Sequence, residues 1–112
     1  MRLKSGVDLT GVSWRLFLAA VLIEPIFIRR GVELVITSGV DGEHSEGSLH
    51  EKGLALDFRS HDLPAPASVL TEIRNTLEPL GYAVLLESNH FHVQYTDENI
   101  RNYATLSGAK LT

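Results

Sequence analysis

Residues 48–57 read SLHEKGLALD, and we build the predicted fold around this stretch. It places an imidazole, His50, and a carboxylate, Asp57, seven residues apart, with Gly53 between them. A glycine permits a sharp turn, so the two side chains could reach one ion. This stretch therefore predicts half of a metal site.

The residues around Asp57 alternate between apolar and polar side chains. Over residues 54–60, Leu56 and Phe58 fall on one face while Asp57 and Arg59 fall on the other, which is the period of a half-buried strand. We expect the apolar face in the core and Asp57 at the site. The small Ala55 leaves room there for an ion or a substrate.

A second histidine-bearing segment, ESNHFH at residues 87–92, predicts the other half of the site. His90 and His92 stand at i and i+2, so they project from the same face of a strand. We expect the alternating residues Phe91, Val93 and Tyr95 on the opposite, core face. Two imidazoles and one carboxylate leave a fourth position on zinc for water, which is the catalytic arrangement.

Composition limits the class of protein. The chain has 112 residues, of which 44% are hydrophobic, so we expect one domain, residues 1–112, with one core. Its charge of −4 comes from 14 acidic and 10 basic residues without a long block of either sign, which argues against nucleic-acid or membrane partners. Cysteine is absent, so metal ligands must be His, Asp or Glu. We expect a monomer.

The chain in order predicts an α+β domain, a small antiparallel sheet flanked by helices. The helix over residues 14–30 begins at an N-cap, Ser13, ends at Gly31, and is kinked or split by Pro25. Because Glu24 and Pro25 interrupt its apolar run, we reject a signal peptide and expect a cytoplasmic protein. The remaining predicted elements are strands 32–37 and 54–60, helix 67–77, a hairpin of strands 82–86 and 90–95, and a short helix 97–103.

Five residues within the opening stretch match the pattern SxHxxGxAxD: Ser48, His50, Gly53, Ala55 and Asp57. The chain thereby resembles the LAS-type zinc peptidases, which include D-alanyl-D-alanine carboxypeptidases, VanX-type dipeptidases and phage L-alanyl-D-glutamate endopeptidases, and it resembles hedgehog domains. The resemblance covers residues 32–95, and the acidic, His-Ser-Glu-containing loop before Ser48 is especially hedgehog-like. It implies the LAS/hedgehog-like fold and zinc-dependent amide hydrolysis.

Two patterns within the resembling families disagree about the third ligand. In the carboxypeptidase-like members, an acidic residue lies three positions before the metal-binding histidine, a pattern that fits Glu87 as the acid and His90 as the ligand. In the HxH members, which include hedgehog domains, the second histidine binds the metal, a pattern that fits His92. With His92 as ligand, the position three before it is Asn89, which cannot act as a base. We expect His50, Asp57 and His92 to bind zinc, Glu87 to act as base, and His90 to assist.

The resemblance also implies the substrate, a cell-wall stem peptide cut at D-Ala-D-Ala or at L-Ala-D-Glu by a phage or prophage lysis enzyme that acts after release. We expect His44, Ser48 and Arg59 to contact this substrate, with His44 or His90 steadying the oxyanion. The peptidases carry an arginine shortly after the Ser-Gly that ends a strand, but here Ser38-Gly39 is followed by Val40 and Asp41.

The missing arginine leaves a second function open, a binding or structural module, such as part of a phage particle, that retains zinc without turnover. The hedgehog-like loop adds a possible calcium site, for which Asp41, Glu43 and Glu46 supply clustered oxygens. His61 has no counterpart in the motif, and we expect it either at the surface or in contact with a metal ligand without binding the metal itself.

Overall fold

The computed structural model describes residues 1–42 and 48–96. Its elements, in chain order, are β1 (Arg2–Leu3), α1 (Trp14–Ile28), β2 (Val35–Ser38), β3 (Ala55–Arg59), α2 (Pro66–Leu77), β4 (Tyr82–Leu86) and β5 (His90–Tyr95), with a 3₁₀ turn at Glu78–Leu80. The α+β prediction is confirmed, with one small sheet and two helices in this part of the chain. The predicted helix 97–103 lies outside the described residues.

The sheet is mixed, so the all-antiparallel prediction is wrong at one edge. Its strand order is β1-β2-β3-β5-β4, and every neighbouring pair is antiparallel except β1 and β2, which are parallel. The amides of Arg2 and Lys4 donate to the carbonyls of Leu34 and Ile36, each at 2.9 Å. Because β1 has two residues, both exposed, it carries no alternation that a sequence pattern could reveal.

Helix α1 begins as predicted and ends slightly earlier. The Ser13 hydroxyl accepts a hydrogen bond from the Arg15 amide at 3.3 Å, which confirms the N-cap. The helix continues through Pro25, so the alternative of two helices is wrong. Pro25 is exposed, and the carbonyl one turn earlier that loses its amide partner belongs to Val21, which is also exposed.

The core lies between the two helices and one face of the sheet. Phe27 of α1 meets Phe91 of β5 edge to face, with ring centroids 6.2 Å apart. The other fully buried side chains in this core include Leu16, Ile23, Leu56, Phe58, Ile73, Leu77 and Val93. The predicted alternation is therefore confirmed: β3 and β5 turn their apolar side chains to the helices, and the opposite face carries the polar residues.

Candidate metal centre

The pairing of β3 with β5 brings two of the predicted ligands together. In this antiparallel register Asp57 lies opposite His92, and Arg59 lies opposite His90. Side chains of directly opposed residues project from the same face of a sheet, a few ångströms apart. The register alone therefore places a carboxylate beside an imidazole on the face turned away from the helices.

The third predicted ligand, His50, reaches this face from a turn that requires glycine. The amide of Gly53 donates to the His50 carbonyl at 3.1 Å, and Gly53 has φ +70°. A Cβ at this position would lie 2.3 Å from the carbonyl oxygen of Gly11, which belongs to the segment preceding α1. Both the backbone conformation and the close approach exclude a side chain, as the sequence predicted for this turn.

The three side chains converge on one point. The Nε2 atom of His50 lies 3.2 Å from Asp57 Oδ1 and 3.2 Å from His92 Nδ1, and the latter two atoms are 3.1 Å apart. Ligands about 2.0–2.1 Å from a tetrahedral zinc lie about 3.3 Å from one another, close to these edges. His50 and Asp57 are buried, and the group His50, Asp57 and His92 could hold a metal ion.

Hydrogen bonds behind the two imidazoles point their lone pairs at the centre. The Nδ1–H of His50 donates to the Gly39 carbonyl at 2.9 Å, and the Nε2–H of His92 donates to Gln94 Oε1 at 2.8 Å. A neutral imidazole has one N–H, so the inner nitrogen of each ring is an acceptor. Such outer partners fix the tautomer and orientation of metal-binding histidines. The inner nitrogens of His50 and His92 and the carboxylate of Asp57 therefore form a set of lone-pair donors suited to a cation.

The electrostatics of the centre keep its carboxylate ionised. Burial acts to raise the pKa of Asp57, but the hydrogen bonds that its carboxylate accepts from His50 and His92 whenever their inner nitrogens carry a proton, with further attraction from His50 and His90, hold that pKa well below its usual range. The hydrogen bond to Asp57 raises the pKa of His92 despite partial burial, and Gln94 adds to this effect. A proton on His92 and a metal ion therefore compete for the same lone pair.

The predicted catalytic residues lie to one side of the three ligands. His90 Nε2 is 3.6 Å from Asp57 Oδ2 and 3.7 Å from Glu87 Oε1, so its ring lies between the two carboxylates. Its Nδ1 is 2.7 Å from the side-chain oxygen of Asn89. The Glu87 side chain is 50% exposed and can reach solvent. His92 thus takes the third position of the group, with His90 beside it.

A polar cleft of about 250 Å³ opens next to Asp57 and His90. Its other lining residues are Lys4, Thr37, Ser38, Arg59, His61 and Asn89. Arg59 was predicted to contact the substrate, whereas Thr37 and Ser38 of β2, and Lys4, which follows β1, were not predicted, because the pairing of β1 with β2 carried no local signal. His61 lines the cleft while remaining largely exposed, and Lys4 and Arg59 bring two positive charges to its wall.

The other predicted site residues have different surroundings. The Ser48 hydroxyl accepts a hydrogen bond from the His50 amide at 3.2 Å, so it shapes the turn that presents this ligand. Arg59 Nη1 lies 3.8 Å from Asp62 Oδ2, a loose ion pair at the cleft. His44, and with it Glu43 and Glu46 of the proposed calcium loop, lie outside the described residues.

Asp41, which follows Ser38-Gly39 where the peptidases carry an arginine, has a structural contact. Its Oδ1 accepts hydrogen bonds from the amides of Asp8 at 2.9 Å and Gly39 at 2.8 Å. These bonds hold the end of β2 against the segment before α1. They also fix Gly39, whose carbonyl orients the ring of His50. Asp41 thus helps to position His50 in the candidate metal centre through Gly39.

Comparison with known protein families finds no family that matches this chain, and no curated protein matches it. The zinc-peptidase resemblance therefore rests on the residues of the motif. Within residues 1–42 and 48–96, none of the helices has the length and apolar character needed to cross a membrane.

Proposed function

We propose that this chain is a zinc-dependent peptidase that hydrolyses an amide bond of a bacterial cell-wall stem peptide. The observation that supports it most is the group of His50 Nε2, Asp57 Oδ1 and His92 Nδ1, with edges of 3.1–3.2 Å, beside an open polar cleft. Three protein ligands and an accessible fourth position are the arrangement of catalytic rather than structural zinc.

When bound, zinc would supply Lewis-acid activation of water and of the scissile carbonyl. The chain's own residues would move the protons. Glu87, at the solvent-exposed side of His90, accepts the proton of the attacking water and passes it to the leaving amine. His90, held between Glu87 and Asp57, donates a hydrogen bond to the oxyanion that develops on the carbonyl.

The cleft charges support a substrate with a carboxylate. Lys4 and Arg59 line its wall, and the hydroxyls of Thr37 and Ser38 can donate hydrogen bonds to the same group. Stem peptides carry free carboxylates at D-Ala-D-Ala ends and at D-Glu, so the charge suits either bond named by the motif resemblance. We propose a stem peptide as substrate and a phage or prophage lysis enzyme as the setting.

Replacing Glu87 by Gln tests the peptidase proposal, because the substitution keeps the side-chain shape and removes the base. Glu87→Gln should retain zinc and fold but lose cleavage of L-Ala-D-Glu and D-Ala-D-Ala peptides by about a hundred- to ten-thousand-fold. Glu51→Gln is the matched control, since Glu51 is an exposed acid in the turn after His50. This control should cleave at the wild-type rate.

Release of new amino termini from peptidoglycan and from the two peptides measures cleavage, with bound metal determined in parallel. Two histidines and one carboxylate also suit Fe(II), so iron is quantified beside zinc. If Glu87→Gln cleaves as fast as wild type, the base is another residue. If a zinc-loaded wild type cleaves no wall substrate, the peptidase proposal is wrong.

One observation favours a second candidate, a zinc-containing binding module. Asp41 occupies the place of the peptidase arginine, and its carboxylate is committed to the amides of Asp8 and Gly39. A chain that had lost turnover could keep such an acid to stabilise the metal centre. This candidate predicts stoichiometric zinc with no cleavage, and retention of binding to wall peptides in Glu87→Gln.

A further inference from the structure

Helix α1 turns an apolar face to solvent in the part of the chain that the structure describes. Every exposed residue between the helix ends is apolar. These residues, which we call the α1 stripe, are Trp14, Phe17, Leu18, Val21, Pro25 and Ile28. The two charged residues of the helix, Arg15 and Glu24, lie at its sides and are partly buried. A helix that is apolar all round is normally covered on both sides.

The spacing of the stripe is that of helices that pair side by side. Positions 14, 18, 21, 25 and 28 are separated alternately by four and three residues, the seam that packs knobs into holes. The core residues Leu16, Ile23 and Phe27 occupy the opposite side of the same helix. The stripe is therefore a second apolar surface, independent of the core of the domain.

The stripe is large enough for the centre of a dimer interface. The exposed fractions are 63% for Trp14, 60% for Val21 and 63% for Ile28, with smaller fractions for Phe17 and Leu18. Together these side chains expose roughly 500–600 Å² of apolar surface, at the upper end for a monomer. A standard interface buries about 800 Å² per partner, about 65% of it apolar in homodimers, so about 500 Å² is needed.

We propose that the α1 stripe pairs with the same stripe of a second copy of this chain, in an antiparallel, two-fold symmetric dimer. In a two-fold symmetric dimer, the same surface of each copy forms the interface, so one α1 stripe per chain is sufficient. A bilayer is a poorer fit: the net charge is −4, and the cations at the helix end, Arg29 and Arg30, are paired with Glu72. This proposal replaces the expectation of a monomer and is independent of zinc.

Val21 is the midpoint of Trp14–Ile28, so a two-fold axis across the helix brings it close to its own copy. Because the chain has no cysteine, Val21→Cys introduces a single thiol. Mild oxidation of this variant should give a covalent dimer. Leu85→Cys, also about half exposed but located on β4, is the matched control and should remain monomeric on a denaturing, non-reducing gel.

Sedimentation equilibrium of the full chain gives the independent measurement. Wild type and Leu85→Glu should have twice the mass of one chain, and Val21→Glu should have the mass of one chain with unchanged circular dichroism. A wild type of single-chain mass, or a dimer that survives Val21→Glu while Val21→Cys fails to cross-link, overturns the proposal. The proposal is also overturned if the wild type has the mass of one chain and dimerises only when residues 97–112 are removed, or if it has that mass and binds phosphatidylglycerol vesicles through Val21.

Discussion

Gln94 should control metal affinity although it contacts no metal. Its Oε1 accepts the Nε2–H of His92 at 2.8 Å, which leaves His92 Nδ1 as the ligand atom. Gln94→Leu removes this acceptor with little change in volume, so the ring can rotate or take the other tautomer. Losing such an outer partner costs about tenfold to a hundredfold in metal affinity, or about 1.4–2.7 kcal/mol. We expect the lower half of this range because the lost partner is a neutral amide.

Competition with a chromophoric chelator at pH 7.5 measures the zinc dissociation constant of each variant. Gln94→Glu is the control, because a carboxylate keeps the acceptor and raises the basicity of the ring, so its affinity should equal or exceed that of wild type. An unchanged affinity in Gln94→Leu would refute the claim that the Gln94 acceptor holds Nδ1 of His92 as the ligand atom. An equal loss in both variants would refute the same claim, because it would point to disturbed packing rather than to a lost acceptor.

Two further predictions concern the metal-free protein and the turn at Gly53. Because the pKa of His92 is raised, this residue contributes stability that is complete below the ordinary histidine pKa and is lost as pH rises through the raised value. Because the pKa of Asp57 is lowered, this residue contributes stability that is complete above the ordinary aspartate pKa and is lost as pH falls through the lowered value. Urea titrations of metal-free protein should therefore show the greatest contribution of this pair between about pH 4 and 6.5, and a contribution that grows from pH 6 to 8 would contradict the pairing. Gly53→Ala should reduce the free energy of unfolding by about 1–3 kcal/mol more than Gly6→Ala, because both glycines have positive φ but only at Gly53 would a Cβ meet backbone, the Gly11 carbonyl at 2.3 Å. Equal losses in the two variants, measured by urea unfolding, would show that the close approach does not matter.

The central strands could be predicted because their physics is local. Alternation around Asp57 and around His92 identifies a buried and a polar face for each strand, and burying both apolar faces against the helices excludes a one-residue slip between them; the register itself comes from the structure. The convergence of His50 on these strands was predicted from the motif and the flexibility of Gly53. The structure brings those three ligands together, and it places His90 beside them rather than among them.

Other features depended on contacts that no local pattern carries. Strand β1 is defined by two hydrogen bonds to distant residues, so Lys4 could not be assigned to the cleft. The exposed side of α1 could not be predicted, because a helix with apolar residues on two opposite sides shows no clear difference between its core side and its exposed side. Gln94 carried a usable signal that was overlooked: it stands two residues after His92, on the same face of β5.

The stoichiometry of bound zinc in three histidine variants tests the central claim most directly. Elemental analysis of protein resupplied with zinc and freed of excess should find one zinc per chain in wild type and in His90→Ala. His50→Ala and His92→Ala should each lose most of it, because each removes one corner of the three-atom group. A wild type that retains no zinc, or a His92→Ala variant that retains as much as His90→Ala, would contradict this account of the metal centre.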